Sequence, residues 1–313
     1  MERAAPAPTR LGRLRVYVAE MFPPLVHVPA SAAGFYAAYF LGHAAASPGP
    51  VRVTAASVGG AATVLLVSLL LRVFDELKDL ETDRVLFKER PVPSGRVTVA
   101  DLKALMGALL VSIALLNAFQ PRPVLIAFLG VLGFAFLTFR YFFIPGFLRT
   151  RVVWLLITHQ PLVPLVGLYA VISGTVAAGG RLGSGSAAVV LIGWLPALAW
   201  ELSRKIRAPE QEDAYVTYSR VFGTRGAALA ALAPIVAAAA LAPWLGRRLD
   251  LGWGWVAPIV AAAALAVLGF GRFLARPSPA SAKLRPFAEV FAVAFYFAAV
   301  LGVGLARGVR PGG

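Results

Sequence analysis

The chain has 313 residues, 59% of them hydrophobic and only 14% charged, where a soluble domain carries about 25% charged residues. That deficit and the long apolar runs exclude an ordinary soluble enzyme and indicate a polytopic membrane protein. The formal charge of +15 does not point to nucleic acid, because the basic residues are dispersed among apolar segments, and the absence of cysteine removes disulfides and thiolate sites.

Residues 1–22 form a basic N-terminal segment. Pro6 and Pro8 precede Arg10, Arg13 and Arg15 with no compact apolar core before them, so the segment does not read as a cleaved signal. Residues 9–20 suit either a short basic amphipathic helix on an anionic leaflet or a solvated tail. Nine apolar segments follow, near 23–46, 53–74, 102–119, 123–143, 152–174, 187–203, 225–244, 253–271 and 286–306, each close to the length that crosses a bilayer. The expected fold is an all-α integral membrane protein: one nine-helix domain over 23–306, capping loops after helices 2 and 6, and a short tail at 307–313. Gln120-Pro121-Arg122-Pro123 predicts a tight turn between the third and fourth spans. Pro161 and Pro164 predict a kink in the fifth, and Pro196 one in the sixth.

Odd and even connections must lie on opposite sides. Counted that way, 23 of the basic residues fall with the N-terminus and the connections after even-numbered spans, and 7 fall on the other side. The bias places the N-terminus and both even-span loops in the cytoplasm, as in a multi-pass protein of a prokaryotic plasma membrane. Acids are more concentrated still. Eleven of 15 lie in two regions, from Asp75 to Asp101 and from Glu201 to Asp213. Both regions follow even-numbered spans, so they share a side and can face one cavity.

The first region opens with a stripe. If residues 75–83 are helical, Asp75, Asp79 and Asp83 stand one turn apart on one face, with Glu76 beside Asp79. A helix C-terminus disfavours carboxylates, and unpaired charge at a membrane boundary is costly. Hard divalent cations, held together with a phosphate-bearing ligand, would compensate. A salt-bridged surface helix using Lys78 and Arg84 is the simpler alternative. Residues 88–96, Lys-Glu-Arg-Pro-Val-Pro-Ser-Gly-Arg, then offer Lys88, Arg90 and Arg96 to anionic oxygens from a loop stiffened by Pro91 and Pro93.

These two elements together resemble the UbiA-type intramembrane prenyltransferase superfamily. Its first motif, Asn-Asp-x-x-Asp-x-x-x-Asp, falls on Asp75-Glu76-Leu-Lys-Asp79-Leu-Glu-Thr-Asp83, with Asp75 and Glu76 as conservative departures. The continuation Asp83-Arg84 and Glu89-Arg90-Pro91-Val92-Pro93-Ser94-Gly95-Arg96 is similar to the family's Asp-Arg and Asn-Arg-Pro-Leu-Pro-Ser-Gly-Arg. The second motif, Asp-x-x-x-Asp, falls on Glu201-Leu-Ser-Arg204-Lys205. Glu201 keeps an oxygen ligand, and Lys205 stands in the place of a carboxylate. Either Glu210, Glu212 or Asp213 supplies the missing oxygen, or Arg204 and Lys205 contact diphosphate directly; the second reading suits a cation one turn from Glu201.

The resemblance implies a magnesium-dependent enzyme that moves a polyprenyl group from its diphosphate to a small acceptor, with an aromatic quinone precursor as the expected class. It implies metal ligation by Asp75, Glu76, Asp79, Asp83 and Glu201. Diphosphate contacts fall to Lys88, Arg90, Arg96, Arg149, Arg204 and Lys205, and the chemistry to Asp79, Asp83 and Lys205. Phe74, Tyr141, Phe142 and Trp200 are candidates to face an allylic cation. His27, His43 and His159 lack paired ligand spacing. A transporter or lipid-binding protein, or a catalytically altered family member, is the alternative. A transporter would place ionisable groups near mid-membrane, and only Glu289 approaches that.

Overall fold

The computed structural model describes residues 9–212 and 216–312. The apolar segments become helices because a backbone in hydrocarbon must satisfy its own hydrogen bonds. Nine helical spans are long and apolar enough to cross a membrane among the described residues. They are α2 (Pro24–Ala46), α3 (Ala55–Lys78), α5 (Val99–Ala118), α6 (Arg122–Phe139), the broken span α8 (Val152–His159) with α9 (Leu162–Ala177), α10 (Ser184–Ser203), α11 (Tyr218–Arg248), α12 (Trp253–Ala275) and α13 (Arg285–Arg307). The protein is therefore an all-α, multi-pass integral membrane protein.

The helix ends carry their own signals. Thr54 caps α3 and Thr98 caps α5, each accepting the amide of the third helical residue. Pro121 precedes α6, and the α5–α6 connection is the expected tight turn. The fifth span breaks at Gln160-Pro161, whereas α10 runs through Pro196 without interruption. A proline costs one backbone bond, and neighbouring helices can absorb that loss inside a bundle.

The helices close into a ring in which α13 packs back on α2, and α2 on α9. The α2–α9 seam is set by glycine. A Cβ on Gly174 would stand 2.0 Å from the Tyr39 carbonyl oxygen, and one on Gly42 would stand 2.6 Å from the Val171 carbonyl oxygen. Only glycine lets the two backbones approach this closely, the device membrane helices use where lipid supplies no hydrophobic drive. A buried polar tie joins three spans: Asn117 donates to Thr63 Oγ1 at 2.9 Å and accepts from the Tyr169 hydroxyl at 3.0 Å.

Two features depart from the linear reading. The N-terminal helix α1 (Arg10–Met21) docks on protein. Arg13 makes a bidentate pair with Asp101 at 2.7 and 2.8 Å, Glu20 pairs with Arg96 at 2.5 and 2.9 Å, and Tyr17 is buried. At the opposite end, β1 (Val51–Val53) pairs in parallel with β2 (Val309–Pro311), so the C-terminal residues join the domain instead of trailing from it.

Candidate functional site

The second span runs one turn further than its hydropathy predicts, ending at Lys78. Asp79 has φ −104° and ψ 8°, which ends α3 and starts the short helix α4 (Leu80–Leu86). The stripe thus lies across a bend, not on one straight helix. Its one-turn spacing survives, because the Asp79 amide donates to the Asp75 carbonyl at 3.0 Å and the Asp83 amide to the Asp79 carbonyl at 2.9 Å.

A polar pocket of about 420 Å³ gathers the two distant acidic regions. Asp75, Asp79 and Asp83 line one wall, with Arg72, Lys78 and Arg90; Glu201, Arg204, Lys205 and Tyr218 line the other. Tyr141, His159 and Gln160 complete it. The acids are held unequally. Lys78 pairs with Asp75 at 2.8 Å and Arg90 with Asp83 at 2.8 Å. Asp79 has no cation bridge among the described residues and accepts a hydrogen bond from the Tyr141 hydroxyl. Burial raises the Asp79 pKa, the Tyr141 bond and Lys78 opposing it. Burial first, then the Asp79 hydrogen bond, raises that of Tyr141.

Across the pocket, Glu201 accepts two bonds from Arg204 at 2.6 and 2.9 Å and lies 3.8 Å from Lys205. Burial and the neighbouring Arg204 lower the Lys205 pKa, while Glu201 and Asp75 act in the opposite direction. Lys205 Nζ lies 5.6 Å from the Tyr218 ring centroid. Glu201 is therefore paired with two basic side chains here. Of the loop acids, Glu212 accepts from Thr217 and Ser219 at 2.5–2.8 Å, Glu210 is exposed, and Asp213 lies outside the described residues.

Several expected residues stand elsewhere. Glu76 does not line the pocket; it is buried and paired with the pocket residue Arg72. Lys88 is exposed and lines no described pocket. Arg96 turns back to Glu20, with Gly95 at φ +79° making the sharp turn only glycine adopts freely. Arg149 sits on the far face of Tyr141, its guanidinium 5.0 Å from the ring centroid, and donates to the Lys78 carbonyl at 3.1 Å. Phe74 is stacked on Phe139 at 4.4 Å within the core, and Phe142 packs edge-on to Phe134. Sequence reasoning passed over Arg72, Lys78 and Gln160 as pocket residues. The helical spacing of Arg72, Asp75 and Asp79 was the signal that marks Arg72.

Below the polar pocket lies an apolar chamber of about 440 Å³. The two are stacked along the same helices. On α3, Val64 and Ser68 line the chamber where Arg72, Asp75 and Asp79 line the pocket; on α10, Trp194, Ala197 and Trp200 give way to Glu201 and Arg204. Trp194 donates to Gln160 Oε1 at 3.1 Å, joining a chamber residue to a pocket residue.

Residues fitting a hard cation are present as oxygen donors on the 75–83 wall. Among the described residues no three acids or histidines are drawn together closely enough to form a preassembled metal cluster.

The site is thus a charged pocket and an apolar chamber stacked inside a bundle of membrane-spanning helices. The sequence profile of the UbiA prenyltransferase family matches residues 35–300, and the chain belongs to that family. None of the curated proteins matches the chain. Three solved structures share its fold. A digeranylgeranylglyceryl phosphate synthase has a TM-score of 0.64 at 19% identity, over 93% of this chain and 98% of its own. A UbiA homologue from Aeropyrum pernix K1 gives 0.60 at 19% identity, over 89% and 97%. A UbiA homologue from Archaeoglobus fulgidus, bound to GPP and Mg2+, gives 0.50 at 14% identity, over 89% and 99%.

Proposed function

We propose that this protein transfers a polyprenyl group from its diphosphate to a small acceptor within the membrane, using Mg2+. The observation that carries this reading is the facing of Asp75, Asp79 and Asp83 against Arg204 and Lys205 directly above an apolar chamber. The solved relative bound to GPP and Mg2+ supports the same substrate class.

In this reading the tail lies in the chamber and the diphosphate in the pocket. Asp75, Asp79 and Asp83 would hold the metal, which would supply positive charge beside the phosphate oxygens. Lys78 and Arg90, paired with Asp75 and Asp83, add positive charge to the same wall. Arg204 and Lys205 meet them from the opposite wall, oriented by Glu201. The allylic carbon–oxygen bond breaks, and its electron pair leaves with the diphosphate. Fixed positive charge stabilises that leaving group, the charge-complementary role that dominates such catalysis. The resulting cation is captured by an acceptor carbon or oxygen, which loses a proton. Trp200 lies at the chamber's polar end, with the guanidinium carbons of Arg204 and Arg285 already 5.5 and 5.6 Å from its ring centroid.

Both active-site loops lie on the cytoplasmic side in this reading, by the basic-residue bias. The test is an assay of purified protein in lipid with labelled polyprenyl diphosphates, a panel of aromatic and lipid-phosphate acceptors, and Mg2+. Prenylated product and released diphosphate that both vanish with chelator are expected. Absence of both under every condition overturns the reading.

A further inference from the structure

We propose that a second cleft, behind Tyr141, binds a phosphate group presented at the membrane interface, separate from the diphosphate pocket. The cleft has a volume of about 470 Å³ and is lined by Leu77, Lys78, Phe139, Arg140, Tyr141, Phe143, Pro145 and Arg149. Three of these eight are cations and none is a carboxylate. Lys78 is balanced by Asp75. Among the described residues, no acid stands within ion-pair distance of Arg140 or Arg149, whose partners are the Phe143 ring, the Tyr141 ring and the Lys78 carbonyl. The cleft therefore carries an excess positive charge that an anion would neutralise.

Its outer wall is built at a cost. Tyr141, Phe142 and Phe143 have φ of 48°, 50° and 61°, a left-handed turn of three aromatic residues. Such residues are strained, and strain of this kind collects at ligand sites. The turn places Tyr141 between the two cavities and leaves Phe143 68% exposed, with Phe147 and Trp154 exposed beyond it. Aromatic and arginine side chains side by side are the composition of a membrane–water boundary. A phosphate at that depth belongs either to a phospholipid headgroup or to a phosphate ester in solution; the recognising chemistry is the same, arginine to phosphate oxygen.

The cleft shares Lys78 and Tyr141 with the diphosphate pocket. Lys78 Nζ lies 4.9 Å from the Tyr141 ring centroid, and the guanidinium carbon of Arg149 lies 5.0 Å from it, while the Tyr141 hydroxyl binds Asp79. An anion drawing on Lys78 and Arg149 is thus felt at Asp79.

The test needs no donor, so its outcome is independent of the transferase reading. Native mass spectrometry of the protein released from phosphatidylcholine nanodiscs containing phosphatidylglycerol reads bound lipid. In parallel, 31P relaxation of glycerol 1-phosphate reads a soluble ester in phosphatidylcholine discs. Arg140→Gln and Arg149→Gln should each lower retention about fivefold, one basic residue's share of interfacial binding. Arg151→Gln, on the same segment but outside the cleft, should leave retention unchanged. Loss confined to phosphatidylglycerol identifies a lipid headgroup, and loss confined to glycerol 1-phosphate a diffusible ester; both support the cleft. Retention independent of Arg140 and Arg149, or equally reduced by Arg151→Gln, overturns it in favour of diffuse surface charge.

Discussion

The Tyr141 hydroxyl donates a hydrogen bond to Asp79 Oδ1, joining the turn after α6 to the residue at which α3 ends. These residues are 62 positions apart. The bond gives a partner to the one stripe carboxylate without a cation bridge, and it makes Tyr141 the partition between the diphosphate pocket and the cleft behind it.

Tyr141→Phe should keep the fold and lower kcat. Loss of a hydrogen bond to a charged group is worth about 1.5–3 kcal/mol, or roughly tenfold to a hundredfold in rate. Steady-state kinetics with donor and Mg2+ varied separately checks this; an unchanged kcat removes Tyr141 from the working site.

Asp79→Ala and Asp83→Ala should each cut turnover at least a hundredfold, since metal-borne charge supplies several kcal/mol (roughly) of transition-state stabilisation. Glu76→Gln should behave differently. Glu76 does not line the pocket but pairs with Arg72, which does, so its removal should cost about 1–3 kcal/mol of stability and leave Mg2+ affinity intact. Melting curves and Mg2+ titrations on all three variants separate the two roles.

Lys205→Ala should weaken donor binding about tenfold, since a charged hydrogen bond to phosphate is lost. Donor affinity measured with an unreactive analogue is the readout. Full affinity together with full activity shows that Lys205 does not contact the diphosphate.

Gly174→Ala tests the α2–α9 seam. The added methyl would meet the Tyr39 carbonyl oxygen at 2.0 Å, and overpacking of this kind costs about 1–3 kcal/mol. Thermal unfolding in one fixed detergent should show a lowered Tm, whereas Gly167→Ala, with open space around the new Cβ, should not.

The Glu20–Arg96 pair gives a pH test. Its hydrogen bond with Arg96 lowers the Glu20 pKa from 4.5. A carboxylate whose folded pKa is lowered contributes stability above the unfolded value and loses it as pH falls through the folded one. Glu20→Gln should therefore lower Tm slightly at pH 7, and the difference should close below pH 4.5. A difference that persists at low pH assigns the effect to packing of α1.

The sequence by itself determined the spans, because transfer into hydrocarbon is summed over consecutive residues and needs no knowledge of neighbours. It also marked Asp75, Asp79 and Asp83 as one unit, because one-turn spacing survives even the bend at Asp79. The Pro161 break was legible for the same local reason. What each polar side chain meets was decided only by the tertiary structure. Arg13 belongs to the N-terminal segment, yet it pairs with Asp101 at the start of α5. Arg96 belongs to the same loop as Arg90, yet one goes to Glu20 and the other to Asp83. Glu201 meets Arg204 and Lys205 within its own last turn, but Tyr141 reaches Asp79 only through the packing of spans far apart in the chain. A long charged side chain has several partners within reach, and only the rotation and register of the packed helices select among them.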